Sequence, residues 1–168
     1  MINKTFAKYV RDLMAVSETL IKLGRVNFER KDFETDYIVI DSLTGDIPLA
    51  SSSSFDDVGE VIEYSSLIKK AFVVDFYGQN AYTNASKFQL LVRSQKSSEL
   101  QDTYGISVYG VTSVTDVKAL TGQQYGNRVQ CELMVQFNNS IEIDTLRIDV
   151  AQIEIRNEEK IIWQTSIM

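Results

Sequence analysis

The sequence predicts an α+β fold, in which a single curved, mostly antiparallel sheet carries two main helices and a long extended hairpin or loop. Apolar side chains recur every three or four residues over 4–23 and again over 80–96, which indicates amphipathic helices. Apolar and polar side chains alternate over 127–137, as is typical of a half-buried strand, and in the predicted strand 68–77 the residues Phe72, Val74 and Phe76 alternate with Ala71, Val73 and Asp75. The length of 168 residues predicts one domain, 1–168.

The predicted elements have recognisable start and stop signals. Asn3 and Gly24 are expected to cap the first helix, and Ser97 and Gly105 a short third one, because side-chain acceptors favour helix starts and glycine favours the turn after a helix. Gly78 is expected to end the strand before the second helix. The predicted elements are, in chain order, a helix over 4–23, strands over 25–30, 36–42, 60–66 and 68–77, helices over 80–96 and 97–104, strands over 106–112 and 127–137, and a last core strand within 146–155.

Three segments have a different character. Residues 44–60 include four consecutive serines and predict a long loop or the tip of an extended hairpin, a kind of segment that often becomes ordered only against a partner. Residues 115–126 are expected to be a connector, and Asn138 to begin a loop. The apolar stretch 161–168 is expected either to pair as a strand on its own domain or to reach a neighbouring subunit, since exposed apolar side chains favour association.

The core is expected to form where the helical stripe meets the apolar faces of the strands. Cys131 lies on the apolar face of its strand, so we interpret it as a small buried hydrophobe and not as a reactive thiol. The residues predicted to be buried are Leu13, Phe72, Val74, Val129, Leu133 and Val135.

Composition excludes most catalytic chemistry. The chain has no histidine and one cysteine, which removes Ser-His and Cys-His pairs, histidine metal sites, cysteine clusters and an internal disulfide. No glycine-rich phosphate loop is present, and Asp56, Asp57 and Glu60 lack the ordered spacing of a calcium loop. The apolar runs are too short for a membrane span, and we do not expect the charged N-terminal stretch to be a signal peptide. We therefore expect no catalytic residue, cofactor, resident metal or membrane contact.

Charge is distributed unevenly along the chain. Residues 1–31 carry a net charge of +4, whereas residues 32–63 carry nine acids and no Lys or Arg, within a total of −6. Such a segment repels itself unless it is well solvated or faces a positive partner. Three interpretations stay open: a solvated acidic hairpin, a surface that does not retain nucleic acid, or a surface that docks on a basic neighbour.

Two short motifs are more specific than composition. Asp75, Phe76, Tyr77 and Gly78 close a strand and lead into a helix. A connector with the pattern L-x-G-x-x-Y-x-x-R then opens the long alternating strand. In this order the motifs resemble those of the neck or tail terminator proteins, the tail completion proteins of long-tailed phages, over about residues 4–155. The connector residues that carry the resemblance are Leu120, Gly122, Tyr125 and Arg128.

The sequence departs from that family in two places. Val129 follows the arginine where the family usually has alanine, and the segment after residue 156 has no counterpart. A local interpretation of the motifs is also open. It treats Gly78 as a simple turn, and Arg128 as a half-exposed strand residue that pairs with a nearby acid.

The resemblance implies a structural virion protein in the tail or neck, assembled in the host cytoplasm. It implies a ring, typically of six copies, that caps the head-proximal end of the tail tube, stops tail growth and joins the tail to the head connector. Its partners would be further copies of itself, the tail tube protein, the connector or neck protein and, in a contractile tail, the sheath protein. DNA would pass through the ring without sequence-specific binding. A different head–tail adaptor, a tail tube subunit and a non-viral acidic binding module remain as alternatives.

A ring gives the acidic segment two possible positions. Its carboxylates could face the DNA channel, where like charge prevents retention, or they could contact a basic patch on an adjacent ring or neighbour. The residues predicted for this role are Asp46, Asp56, Asp57 and Glu60.

Overall fold

A computed structural model describes residues 2–24, 35–56, 61–117, 119–121, 124–144, 151–157 and 160–167, and it describes no side chains at 119–126 or beyond 144. The predicted strand over 25–30 therefore lies outside the described residues. The helices are α1 (Ile2–Met14), α2 (Ala81–Leu91) and α3 (Gln95–Tyr104). The strands are β1 (Ile21–Leu23), β2 (Tyr37–Ser42), β3 (Ile47–Asp56), β4 (Val61–Tyr77), β5 (Ile106–Val108), β6 (Ser113–Asp116), β7 (Ala119–Thr121), β8 (Gln124–Gly126), β9 (Arg128–Asp144), β10 (Ala151–Asn157) and β11 (Lys160–Ile167).

Seven strands form the main sheet, in the order β1-β2-β4-β9-β5, with β3 paired to β4 and β6 paired to β9. The β1–β2 pair is parallel, whereas β2–β4, β5–β9 and β6–β9 are antiparallel. Two further antiparallel hairpins, β7–β8 and β10–β11, stand as separate two-stranded sheets. The α+β class and the mostly antiparallel pairing are confirmed.

The chain divides into two compact units. The first comprises Met1–Ser51 and Ser66–Asn139, and the second comprises Ser52–Ser65 and Ser140–Met168. In the second unit, β10 and β11 pair from Ala151↔Ile167 onward. The apolar C-terminal stretch therefore pairs as a strand with its own chain, the first of the two predicted alternatives. The single domain over 1–168 stays a prediction.

The core of the first unit lies between the helices and one face of the main sheet. Phe6 of α1 packs on Phe72 of β4 with ring centroids 4.5 Å apart, and Phe88 of α2 packs on Phe76 of β4 at 5.6 Å. Cys131 is fully buried in the same cluster, as predicted. All six residues predicted for the core are buried: Leu13, Phe72, Val74, Val129, Leu133 and Val135.

The first helix is shorter than predicted at its C-terminal end. Ala15 adopts the left-handed conformation, with φ at 54°, and the Val16 amide donates to the Arg11 carbonyl at 3.1 Å. This is a Schellman-type end, and it stops the helix although no glycine is present. Residues 18–20 then form one 3-10 turn and β1 follows, so the apolar residues after 15 belong to other elements. The predicted caps Asn3 and Gly24 do not cap this helix.

The two predicted helices over 80–96 and 97–104 are observed as α2 and α3, but the break between them lies earlier, at 92–94. Ser94 caps α3, since its Oγ accepts a hydrogen bond from the Ser97 amide at 3.3 Å. Ser97 is therefore not the cap. Its buried hydroxyl instead shares a 2.7 Å hydrogen bond with the hydroxyl of Tyr9 on α1. Gly105 ends α3 with φ at 62°, as predicted.

Several strands have different limits from those predicted. The two strands predicted over 60–66 and 68–77 form the single strand β4. The strand β9 continues through Asn138, where we expected a loop to begin. Residues 106–112 hold only the short β5, and the connector 115–126 contains the hairpin β7–β8. Long-range pairing decides these limits, because a strand continues for as long as a partner satisfies its backbone.

Replacing Leu133 by alanine should destabilise the fold by about 2–5 kcal/mol, through lost burial and a residual cavity. Leu133 is 1% exposed at the centre of β9. The matched control is Ile141→Ala on the same strand, where the side chain is 60% exposed and the loss should be below about 1 kcal/mol. The free energies of unfolding from urea titration give the comparison, and equal losses would contradict the assigned register.

Asp12 should make the fold sensitive to acid. Hydrogen bonds from Arg11 and from the Tyr104 hydroxyl hold the pKa of Asp12 below its ordinary 3.8. The carboxylate therefore stabilises the fold above that value, and this contribution is lost as the pH falls through the lower folded-state pKa. Urea midpoints measured from neutral pH into acid should fall less steeply for Asp12→Asn than for the parent, and identical slopes would refute this.

Candidate functional site

The first motif forms a sharp turn between β4 and α2. Gly78 has φ at 104°, in the region that favours glycine, and a Cβ there would overlap Asp36. Asp36 accepts hydrogen bonds from the Asn80 amide at 3.0 Å and from the Asn80 side chain at 2.9 Å. The glycine therefore allows the aspartate that immediately precedes β2 to approach closely and to hold the turn that begins α2.

The two motifs meet in an ion pair on the sheet. Arg128, the first residue of β9, donates from Nε to Asp75 Oδ1 at 3.2 Å and from Nη2 to Oδ2 at 2.9 Å. The Asp75 side chain is only 7% exposed and that of Arg128 is 30% exposed. Burial raises the pKa of Asp75, whereas the hydrogen bonds from Arg128 act in the opposite direction. The local interpretation of Arg128 as a half-exposed partner of an acid is correct.

Aromatic rings cover the side of this ion pair. Tyr77 stacks on Tyr37, its register partner on β2, with parallel rings 4.6 Å apart. The Arg128 guanidinium lies over the Tyr77 ring at 5.7 Å, within the range of a cation–π contact. Phe76 points to the opposite face, into the core. Four consecutive residues of the motif thus have four different roles. Asp75 forms the ion pair, Phe76 packs in the core, Tyr77 stacks on Tyr37 and Gly78 forms the turn.

The connector motif is a hairpin that leads to Arg128. Leu120 on β7 and Tyr125 on β8 are direct register partners. Gly122 lies outside the described residues. Of the eight predicted motif residues, the structure brings Asp75 and Tyr77 together with Arg128, and it pairs Leu120 with Tyr125 in a separate two-stranded sheet.

The acidic segment forms an exposed two-stranded ribbon. All ten residues of β3 are exposed, and β3 pairs with the first half of β4. Serine hydroxyls link the two strands, Ser51 to Ser66 at 3.4 Å and Ser52 to Ser65 at 2.7 Å. The expected extended hairpin is confirmed over the described residues.

The predicted acidic residues differ in their surroundings. Asp46 accepts a 2.7 Å hydrogen bond from Lys70, so part of its charge is neutralised. Asp56 is exposed at the end of β3. Asp57 and Glu60 lie outside the described residues. The Lys70 contact therefore makes Asp46 a weaker candidate for an outside partner than its charge alone suggests.

Sequence reasoning missed three residues that complete these arrangements: Asp36, Tyr37 and Lys70. Each is brought to its partner by strand pairing over a distance of 24 to 44 residues along the chain. Tyr37 was visible only as one aromatic residue in a predicted strand. Without the register, nothing in the sequence connects it with Tyr77.

The described residues were compared with the two common kinds of reactive site, a reactive thiol and a metal centre. Burial raises the pKa of the Cys131 thiol to about 12, so the thiolate is disfavoured. Among the described residues, no group of three His, Cys, Asp or Glu side chains could hold a metal ion. Within the same residues, no helix is long and apolar enough to cross a membrane.

The Asp75–Arg128 pair should be costly to break on one side only. Arg128→Leu leaves a buried carboxylate without its cation, which should cost up to about 3–5 kcal/mol, nearer the lower figure because Arg128 is partly exposed. The double variant Asp75→Leu with Arg128→Leu also removes the buried carboxylate, so its free energy of unfolding should be higher than that of the single variant. Urea unfolding of the parent and both variants measures this, and a double variant weaker than the single one would contradict it.

Comparison with known proteins identifies the family. No curated protein matches the chain. A family model described as "Phage neck terminator protein" matches residues 2–159, which include both motifs, the β3–β4 ribbon and all three helices. The match covers far more than half of the chain and agrees with the resemblance inferred from its motifs. The chain belongs to the phage neck terminator protein family.

Proposed function

We propose that the chain forms a homo-oligomeric ring, of six copies, that caps the head-proximal end of the phage tail tube. The observation that carries this is the family match over 2–159, since a neck terminator is a structural part of the virion tail and neck. The ring stops growth of the tube and joins the finished tail to the head connector. In a contractile tail it also meets the last sheath ring.

Exposed apolar side chains support self-association. Phe55 and Tyr64 on the ribbon are 58% and 46% exposed, and Ile141 and Ile143 at the end of β9 are 60% and 48% exposed. Such groups are expected where a neighbouring chain covers them. The long exposed edge of β3 also needs protection, because an uncovered strand edge invites uncontrolled pairing.

The overall charge supports passage of DNA without retention. The net charge of −6 disfavours lasting contact with phosphates, which basic side chains would otherwise bind by releasing counterions. We propose that the protein has no turnover of its own and acts by shape and contact. Its partners are further copies of itself, the tube protein, the connector and, where present, the sheath.

The ring is tested first by its mass in solution. Analytical ultracentrifugation of the full chain should show a discrete species at six times the 19.1 kDa chain mass, and negative stain should show closed rings. Open-ended cylinders would indicate a tube subunit instead. A monomer that persists at high concentration would indicate an adaptor or binding module.

The role in tail completion is tested in the phage. Deleting the coding sequence should give tails of uncontrolled length that do not join heads, and supplying the chain in trans should restore both properties. Electron microscopy of the lysates measures tail length and head attachment. Tails of normal length that are joined to heads in the deletion strain would exclude the proposed role.

A further inference from the structure

A basic groove lies between α1 and β1. Its cavity of about 300 Å³ is lined by three cations, one acid and an apolar floor. Arg11 is engaged with Asp12 at 2.7 Å and Glu18 at 3.8 Å. Lys4 and Lys8 are exposed and form no ion pair within the residues that the structure describes. The lining residues are Lys4, Ala7, Lys8, Arg11, Glu18, Ile21 and Leu23.

The position of Lys4 is not explained by folding. It lies in the first turn of α1, which contains no acidic residue. A cation there opposes the helix dipole, whereas an acid would be favourable by about 0.3–1 kcal/mol. The lysine therefore stands at this place at a small cost in stability, which is reasonable if it binds an anionic group outside the helix.

The ribbon has one acidic face and one aromatic face. Side chains two apart along a strand share a face, so Asp56 and Glu63 lie on the side of the Ser52–Ser65 hydrogen bond. Phe55 and Tyr64 lie on the side of the Ser51–Ser66 bond. On this face Asp56 and Glu63 are the described charged residues near the tip, whereas Lys69 lies on the same face farther along β4.

We infer that the acidic face of the ribbon of one copy docks in the basic groove of the next copy around the ring. The contact pairs Asp56 and Glu63 with Lys4 and Lys8 of the neighbour. This rests on the proposed ring and names a contact that holds it together. Of the two placements open for the acidic segment, it selects a basic neighbour over the channel wall.

Charge and topology both favour a second copy as the occupant. The groove is cationic and the ribbon face is anionic, so the two surfaces of one chain are complementary to each other. A surface that binds a different surface of an identical chain gives a head-to-tail interface, and such interfaces close into rings when the rotation permits.

Charge reversal in the full-length chain tests the contact. Lys4→Glu with Lys8→Glu should lose the ring in favour of monomer, and so should Asp56→Lys with Glu63→Lys, as measured by sedimentation. Circular dichroism should show both folded, since Lys4→Glu relieves an unfavourable charge at the helix start. The matched controls are Lys87→Glu with Arg93→Glu and Glu99→Lys with Asp102→Lys, all exposed on α2, α3 or the turn between them, which should keep the ring.

Mixing the two charge-reversed chains is the decisive step. In an alternating ring every groove then meets a ribbon of opposite charge, so the mixture should recover the ring that neither chain forms alone. The parent ring should also loosen at high salt, because screening weakens exposed charge contacts. Recovery by mixing excludes docking of a ribbon on its own groove, which mixing cannot change.

Other outcomes overturn the inference. Rings that persist in both charge-reversed variants would exclude the contact while leaving the proposed function standing. Intact rings that deliver DNA more slowly with the Asp56 variant would place the ribbon in the channel. Intact rings that lose affinity for duplex DNA with the Lys4 variant would assign the groove to nucleic acid. A parent chain that stays monomeric would overturn the ring and the contact together.

Discussion

Burial of one face of β4 and β9 under α1 and α2 is the constraint on which the rest of the first unit depends. Alternate residues of both strands enter a common cluster with Phe6 and Phe88. A slip of one residue in either strand would move all of these side chains out of the cluster to the opposite face at once, so the register is strongly specified. Once the register is set, the residues in between must lie on the opposite face, whatever their chemistry.

On that opposite face, residues of the two family motifs contact each other. Asp75 follows Val74 and precedes Phe76, both of which are in the core, so its carboxylate is forced onto the other side of a central strand. A buried carboxylate is costly unless a cation and hydrogen bonds accompany it, and Arg128 supplies both. Tyr37 and Tyr77 then cover the pair. The motifs therefore join β2, β4 and β9, and they hold the turn into α2.

Burial in the core does not explain the residues of the exposed ribbon and of the groove beside α1. The ribbon contributes little to any core, and its acidic and aromatic faces are of little use to an isolated chain. The groove beside α1 carries lysines that folding does not require. In the head-to-tail ring that we propose, these two surfaces contact each other, and binding between copies stabilises the assembly.

Periodicity in the sequence determined the α+β class, the six core residues and the ends of α3 at Gly105 and β4 at Gly78, because these depend on side-chain spacing and on local backbone preference. The motifs pointed to the family, and the absence of histidine excluded Ser-His and Cys-His pairs within the chain. Only the tertiary structure decided that Ala15 ends α1, that β4 and β9 run on as long strands, and that Asp75 meets Arg128. Each of these depends on partners far along the chain, and strand register is set by burial of the whole sheet face and not by any local signal.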